Sequence, residues 1–472
     1  MELEQDLWAQ QEARLLARQA EVAQKQLAQM SQAQLDNICE AVAIAVEKAA
    51  LELAELAVRE TGFGNVEDKI TKNIFASRDV WNRAKDLKVV GVLKGDKGDK
   101  LWEIGVPVGV VAAIVPSTNP TSTVAYKAII AIKAGCSIVF SPHPKAIACT
   151  RRAAEIVAKA AEQAGAPKGA VSCLSVPSLQ GCQELMHVPE TKLILATGGP
   201  AMVKAAYSSG KPAIGVGAGN GPAYIHKSAD VKQALEKILG SKTFDNGTVC
   251  ASEQSIVITK DMVSKVKSIA VGLGYYFLTP EDAATLSKVL FRPGGGMNPQ
   301  VVGKSALSLA EMCGFSVPKA TRVLVAREYG VGVKHPYSME KLCPVLGLYV
   351  EEDEEAVLAR SKEILHHEGR GHTFSIHTED TDVVARFAAQ MPVSRFLVNT
   401  PAALGGIGKT TGLFPALTLG CGAVGGSATS NNVSPLDLIN IRQVAWDTKP
   451  AGQEDNLVEI ITAKILERLG RI

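Results

Sequence analysis

No stretch of the 472 residues is apolar for long enough to span a bilayer, and the longest such run, residues 106–115, is interrupted by Pro107 and Gly109. Residues 2–18 alternate charged and apolar side chains, which is not the pattern of a secretion signal. An excess of one charge is missing too. The 50 basic and 48 acidic residues leave +2, so no global field favours nucleic acid or an anionic membrane, and any anionic ligand must be bound locally. There is no Cys-x-x-Cys pair. The nine cysteines, 39, 136, 149, 173, 182, 250, 313, 343 and 421, are scattered, several in apolar stretches such as 134–140, and fit a reduced, cytoplasmic interior better than a disulfide framework. No tandem repeat is visible. Nor is the usual dinucleotide fingerprint, because Gly215, Gly217 and Gly219 are spaced by two and Asn220 breaks any G-x-G-x-x-G.

What is present is enough apolar residue, 46% of the chain, to bury a sizeable core in two or three compact units. Residues 3–60 carry apolar positions at helical spacing, for example Ile38, Val42, Ala45 and Val46, and read as a helical cap. From 104 to 225 short β-branched runs alternate with helical ones: strands near 108–115, 137–140, 192–196 and 223–225, with helices at 124–134 and 150–164. That alternation predicts parallel βαβ units. A helix at 229–240 and strands near 255–258, 322–325, 346–350 and 395–399 predict a second α/β unit. Residues 401–435 are dense in Gly, Thr, Ser and Asn, so they are expected to be ordered by packing as bridging loops.

Four segments carry chemistry. Cys250 follows a polar, glycine-containing approach, 243–249, and precedes a strand; at such a boundary a thiol can be exposed while its surroundings lower its pKa. On position alone, a buried structural cysteine explains it equally well. In Val115-Pro116-Ser117-Thr118-Asn119-Pro120 the chain leaves a strand for a helix, so Asn119 reads first as a turn or cap residue. In Ala196-Thr197-Gly198-Gly199-Pro200 a glycine turn opens a helix, and its backbone amides suit a pyrophosphate. The fourth segment is Gly215-Val216-Gly217-Ala218-Gly219-Asn220.

Together and in this order the four segments resemble the aldehyde dehydrogenase superfamily, and its CoA-acylating branch most. The resemblance covers roughly residues 20–447. It implies an α/β fold of two parallel-sheet domains with a small oligomerisation hairpin: 1–221 binding NAD and coenzyme A, joined again by 408–447, a hairpin at 88–104, and a catalytic domain at 222–407. It implies Cys250 as nucleophile and Asn119 as an oxyanion donor. Hydrolytic members carry a glutamate where this chain has Val216, and valine cannot deprotonate water. The acyl thioester must then wait for the thiol of coenzyme A.

For the cofactor the resemblance implies Thr118, Ser141, His143, Thr197, Gly198, Gly199, Gly217, Glu340 and Leu342. Glu340 would accept hydrogen bonds from the nicotinamide ribose. NAD is the expected cofactor; His143 replaces a lysine common in hydrolytic members near the adenosine ribose, and this leaves NADP open. The expected reaction converts a short aldehyde such as acetaldehyde or propionaldehyde, with CoA and NAD, to acyl-CoA and NADH, in a homo-dimer or tetramer. An acyl-phosphate or semialdehyde reductase of the same superfamily, and an inactive oligomeric scaffold, are the alternatives.

Two motifs are set aside. Residues 403–410 fit a permissive phosphate loop, but Phe414-Pro415 and further glycines follow where a helix is required. The histidines of 366–372 lack zinc spacing, and Gly369 and Gly371 would break their helix, so no metal is expected. His372 matches a histidine of the acylating branch. Finally, 448–454 reads as a linker, and 455–472 as an amphipathic helix with Leu457, Ile461, Ile465, Leu469 and Ile472 on one stripe. It resembles peptides that direct enzymes into bacterial microcompartments, which implies a shell protein as partner.

Overall fold

The computed structural model describes residues 4–292, 296–448 and 457–468. Two parallel sheets organise the chain. The first has five strands in the order Val171–Cys173, Ser137–Ser141, Val110–Ile114, Thr191–Thr197, Ala213–Val216. The second has seven, in the order Tyr275–Phe277, Val323–Arg327, Val345–Glu351, Glu253–Thr259, Gly221–Ile225, Gly371–His377, Val393–Val398. Every residue of Val110–Ile114 and Ser137–Ser141 is buried, as expected for parallel strands covered on both faces. The fold is therefore α/β with paired parallel sheets, as the alternation of strand and helix runs predicts.

The helices follow their local signals. Gln32–Lys48 begins at a capping box between Ser31 and Gln34 and buries Leu35, Ile38, Cys39, Val42 and Val46 on one stripe. The helix expected at 124–134 is Pro120–Lys133, four residues longer at its start because proline is acceptable in a first helical turn. All fourteen of its residues are buried. Its Lys127 is satisfied by the carbonyls of Ile114 and Leu195, each 2.8 Å away, and so ties the helix to two strand ends.

Beside these sheets lies a small antiparallel one. Gly91–Lys94 pairs with Leu101–Pro107, and Ile439–Ala445 pairs along the other edge of Leu101–Pro107. The hairpin expected at 88–104 thus has a third strand from near the chain's end. Four other strands had no counterpart in the sequence reading: Val171–Cys173, Ala213–Val216, Tyr275–Phe277 and Gly371–His377. A helix covers Leu457–Arg468, while the expected linker at 448–454 and the helix-capping Asp455 and Asn456 lie, apart from Thr448, outside the described residues. Among the described residues no helix is long and apolar enough to cross a membrane.

Candidate functional site

In the first sheet, strands Val110–Ile114, Thr191–Thr197 and Ala213–Val216 lie side by side, and the segments leaving their carboxyl ends border one cleft. Ligands of open α/β sheets bind in that position because loops and helix N-termini converge there. The far wall comes from the second sheet, through the loop before Glu253–Thr259 and the segment before Val345–Glu351.

Ten of the eleven residues singled out in the sequence line this cleft: Cys250, Asn119, Thr118, His143, Thr197, Gly198, Gly199, Gly217, Glu340 and Leu342. The eleventh, Ser141, lines an adjoining apolar recess that shares Pro116, His143, Thr197, Gly198 and Gly199 with the first. Val216 lines the cleft as well, 3% exposed, at the end of its strand beside Thr197.

Cys250 is half-buried in the turn that enters strand Glu253–Thr259. Its loop is held closely. A Cβ on Gly219 would stand 1.9 Å from the Cys250 carbonyl oxygen, and Gly247, at φ +78°, passes 2.9 Å from the Cys343 backbone by the same measure. The sequence reading expected surroundings that lower the thiol's pKa. The structure corrects this: burial pushes the Cys250 thiol up to about 12, Glu340 and Cys421 add to the rise, and Arg395 opposes it. The polar approach 243–249 suggested exposure; Cys250 keeps part of its surface in the cleft, while the glycine segment and the 342–343 segment pack against the backbone of its loop.

Asn119 stands at the N-cap of helix Pro120–Lys133 with its side chain turned away from the helix, making no capping bond. Its Nδ2 donates to Thr118 Oγ1 at 3.1 Å and to the Thr248 carbonyl at 3.4 Å. The bland reading as a helix cap is thereby removed. Glu340 Oε1 accepts from Gly219 N at 2.9 Å, while Glu340 N donates to Glu368 Oε2 at 2.6 Å. Burial and the Glu368 carboxylate hold the Glu340 carboxyl up at about 8.

The glycine turns of the cleft suit an anion. Gly199 begins helix Pro200–Tyr207 with no side-chain cap, so no side chain competes with an anion for the helix N-terminus. A Cβ on Gly199 or Gly217 would meet no protein atom within 4 Å, so the chain's own packing does not demand glycine there; a ligand lying across the backbone would. His143 is half-buried, its Nδ1 accepts from Lys145 N at 3.0 Å, and burial and Lys145 lower its pKa, so the ring is neutral. These residues fit a dinucleotide.

Sequence reasoning missed what lies beneath Asn119. Lys69 and Lys72, both 2% exposed, point from helix Val66–Ile74 onto the fully buried Asp245 carboxylate, at 2.9 and 2.5 Å. The signal available was two lysines three apart, which ordinarily marks a solvated helix face. Asp245, with its left-handed φ of 47°, gave no sequence cue beyond Asp-Asn-Gly. His372 is fully buried in strand Gly371–His377, and burial and Arg395 lower its pKa to about 3. In the set-aside phosphate-loop segment, Gly408 has φ +87° and Lys409 pairs with Asp79 at 3.0 Å. No helix follows among the described residues up to the short turn Ala423–Gly425.

The two parallel sheets thus bring a thiol and an amide to the lining of one cleft. Residues 5–271 match the family model described as aldehyde dehydrogenase family, and the chain belongs to that family. It is similar to a probable aldehyde dehydrogenase from Listeria monocytogenes EGD-e, at 53% identity, TM-score 0.94, covering 95% of this chain and 99% of that one. An acetylating aldehyde dehydrogenase from Geobacillus thermoglucosidasius is 47% identical with TM-score 0.93, covering 95% and 99%. The bifunctional aldehyde-alcohol dehydrogenase of Escherichia coli (strain K12) is 44% identical over 439 residues, 92% of this chain and 49% of that protein. The chain thus spans about half the length of the curated relatives it matches first.

Proposed function

We propose that the chain catalyses the reversible, CoA-dependent oxidation of a short aldehyde to an acyl-CoA, through a thioester on Cys250. The observation that carries this reading is Val216: it lines the cleft with Cys250 and has no group able to accept a proton from water. The thiolate adds to the aldehyde carbon, and the developing oxyanion meets the Asn119 amide and the Cys250 backbone N–H. A bound nicotinamide dinucleotide supplies the hydride acceptor; Thr118, Ser141, His143, Thr197, Gly198, Gly199, Gly217, Glu340 and Leu342 are the residues that would hold it. With valine where a base would activate water, the thioester waits for the thiolate of coenzyme A, which takes the acyl group as the Cys250 thiolate leaves. The neutral His143 favours NAD over NADP, since it offers no charge to a 2′-phosphate.

In this reading the unit around the five-stranded sheet, 1–221 with 408–447, holds the cofactors, and 222–407 brings the nucleophile. The antiparallel sheet at 88–104 joins copies into a dimer or tetramer. The enzyme works in the cytoplasm, and its last segment, 455–472, docks on a microcompartment shell protein; Ile461 and Ile465, one turn apart on helix Leu457–Arg468, are about half exposed. Acetaldehyde and propionaldehyde are the proposed substrates. The test is NADH absorbance with an aldehyde panel, with and without coenzyme A, on the wild type and Cys250→Ala. CoA-dependent turnover lost in the variant supports the reading, and turnover retained in Cys250→Ala overturns it.

A further inference from the structure

Asn119 can serve an oxyanion only if its NH2, not its carbonyl, faces the reacting carbon, and an amide is free to turn about its last bond unless something fixes it. Lys72 supplies the constraint. Its Nζ donates to Asn119 Oδ1 at 2.6 Å, and an ammonium has three donors and no acceptor, so only the carbonyl end of the amide can sit against it. The same Nζ donates to Asp245 Oδ2 at 2.5 Å and Thr248 Oγ1 at 3.0 Å, so its three bonds are all used. Asp245 Oδ2 also accepts from Lys69, which in turn donates to the Thr118 carbonyl at 3.0 Å. Asp245 Oδ1 accepts from Asn65 N at 2.9 Å.

One buried carboxylate therefore ties together the start of helix Val66–Ile74, the Thr118–Asn119 segment and the loop that carries Cys250. The backbone is shaped around it: Asp245 is left-handed, and a Cβ on Gly64 would fall 1.7 Å from Asp245 Oδ1. We propose that Lys72 is a positioning residue for the reaction, holding the Asn119 amide with its NH2 on the side of the Thr248 carbonyl, in the loop that carries Cys250, and polarising it as a donor, while Asp245 and Lys69 hold Lys72 in place. This rests on the reading of Cys250 and Asn119 above. A cation on the carbonyl oxygen draws electron density from the amide nitrogen, so the N–H donor is strengthened as well as aimed. Burial lowers the pKa of Lys72 to about 8 with Asp245 opposing, so at neutral pH the ammonium keeps its charge and the constraint is in force.

The test is a double-mutant cycle on the single-turnover acylation of Cys250, with Lys72→Met, Asn119→Ala and the pair. Asn119→Ala should slow acylation by about 10²–10³-fold, as removal of an oxyanion donor does elsewhere. Lys72→Met should slow it more than tenfold with KM within about twofold, and should add less than about threefold to Asn119→Ala, because it acts through that amide. Lys72→Gln, which keeps a donor, should recover part of the rate. Lys69 still pairs Asp245 when Lys72 is gone, and if Lys72→Met nevertheless fails to fold, Lys72→Gln carries the same cycle. Equal losses from Lys72→Met with and without Asn119, or an unchanged rate, overturn the proposal. An unchanged rate in Asn119→Ala alone overturns the underlying assignment, and the two failures are thereby distinct.

Discussion

If the proposed acyl transfer holds, replacing Val216 with glutamate should add hydrolysis to it. The position is 3% exposed and lines the cleft with Cys250, so a carboxylate there would stand beside the thioester. Burial would raise the new carboxyl's pKa above its usual value of about 4.3, but a rise of two to three units still leaves most of it ionised at pH 8. Glu340, held up at about 8, is only partly charged at that pH and repels it weakly. A positioned general base contributes about 10²–10⁴-fold, and the added bulk at a packed strand end argues for the lower limit. The fold should survive, since a rise of two to three pKa units costs about 3–4 kcal/mol, less than the stability of a typical domain. The assay mixes enzyme, aldehyde and NAD without coenzyme A and follows NADH and free carboxylic acid. Wild type should give one NADH per site and then nearly stop; Val216→Glu should continue about 10²-fold faster. A folded Val216→Glu that keeps the initial burst but hydrolyses no faster than wild type would refute the reasoning.

Other outcomes follow from the same geometry. Burial raises the Cys250 thiol far above its ordinary value of 9.0, so its thiolate gains as pH rises. Alkylation of the free protein by iodoacetamide should accelerate close to tenfold per pH unit from 7 to 10; a plateau below pH 8 would contradict the burial argument. Gly64→Ala forces a Cβ 1.7 Å from Asp245 Oδ1 at φ +72° and should destabilise the fold by about 3–5 kcal/mol, the usual cost of disrupting a buried ion pair, read from denaturant midpoints. Asn119→Ala should reduce kcat about 10²–10³-fold and also lower the thermal midpoint, because it leaves the buried Lys72 ammonium one acceptor short; an unchanged kcat would contradict the oxyanion role.

The sequence shows some of this plainly. Strands Val110–Ile114 and Ser137–Ser141 are continuous apolar runs, which is what a strand covered on both faces needs, and they were read within two residues of their ends. Gly371–His377 was missed because it buries two histidines, two threonine or serine residues and a glycine; His372 Nδ1 meets Thr373 Oγ1 at 2.9 Å while the Nε2 atoms of His372 and His377 are buried without a hydrogen-bond partner among the described residues, and a hydropathy pattern has no record of that. Val171–Cys173 and Tyr275–Phe277, three residues each at sheet edges, are too short for any period to register. The cleft residues were legible only through their order along the chain, since Asn119 alone reads as a cap and the glycine pair alone as a turn. Lys69, Lys72 and Asp245 were not legible, because a buried lysine is unusual enough to be read as exposed until a carboxylate from 173 residues away is seen to meet it.

The central claim is that the sulfur of Cys250 holds an acyl group which water is not helped to remove. The direct measurement is the intact mass of the protein after brief mixing with an acyl-CoA and removal of free ligand. Wild type should carry one acyl group, located by peptide mapping at Cys250, that persists in buffer and leaves when coenzyme A is added back, and Cys250→Ala should carry none. An acyl group on the variant, or rapid loss from wild type as free acid without any thiol present, would contradict the account.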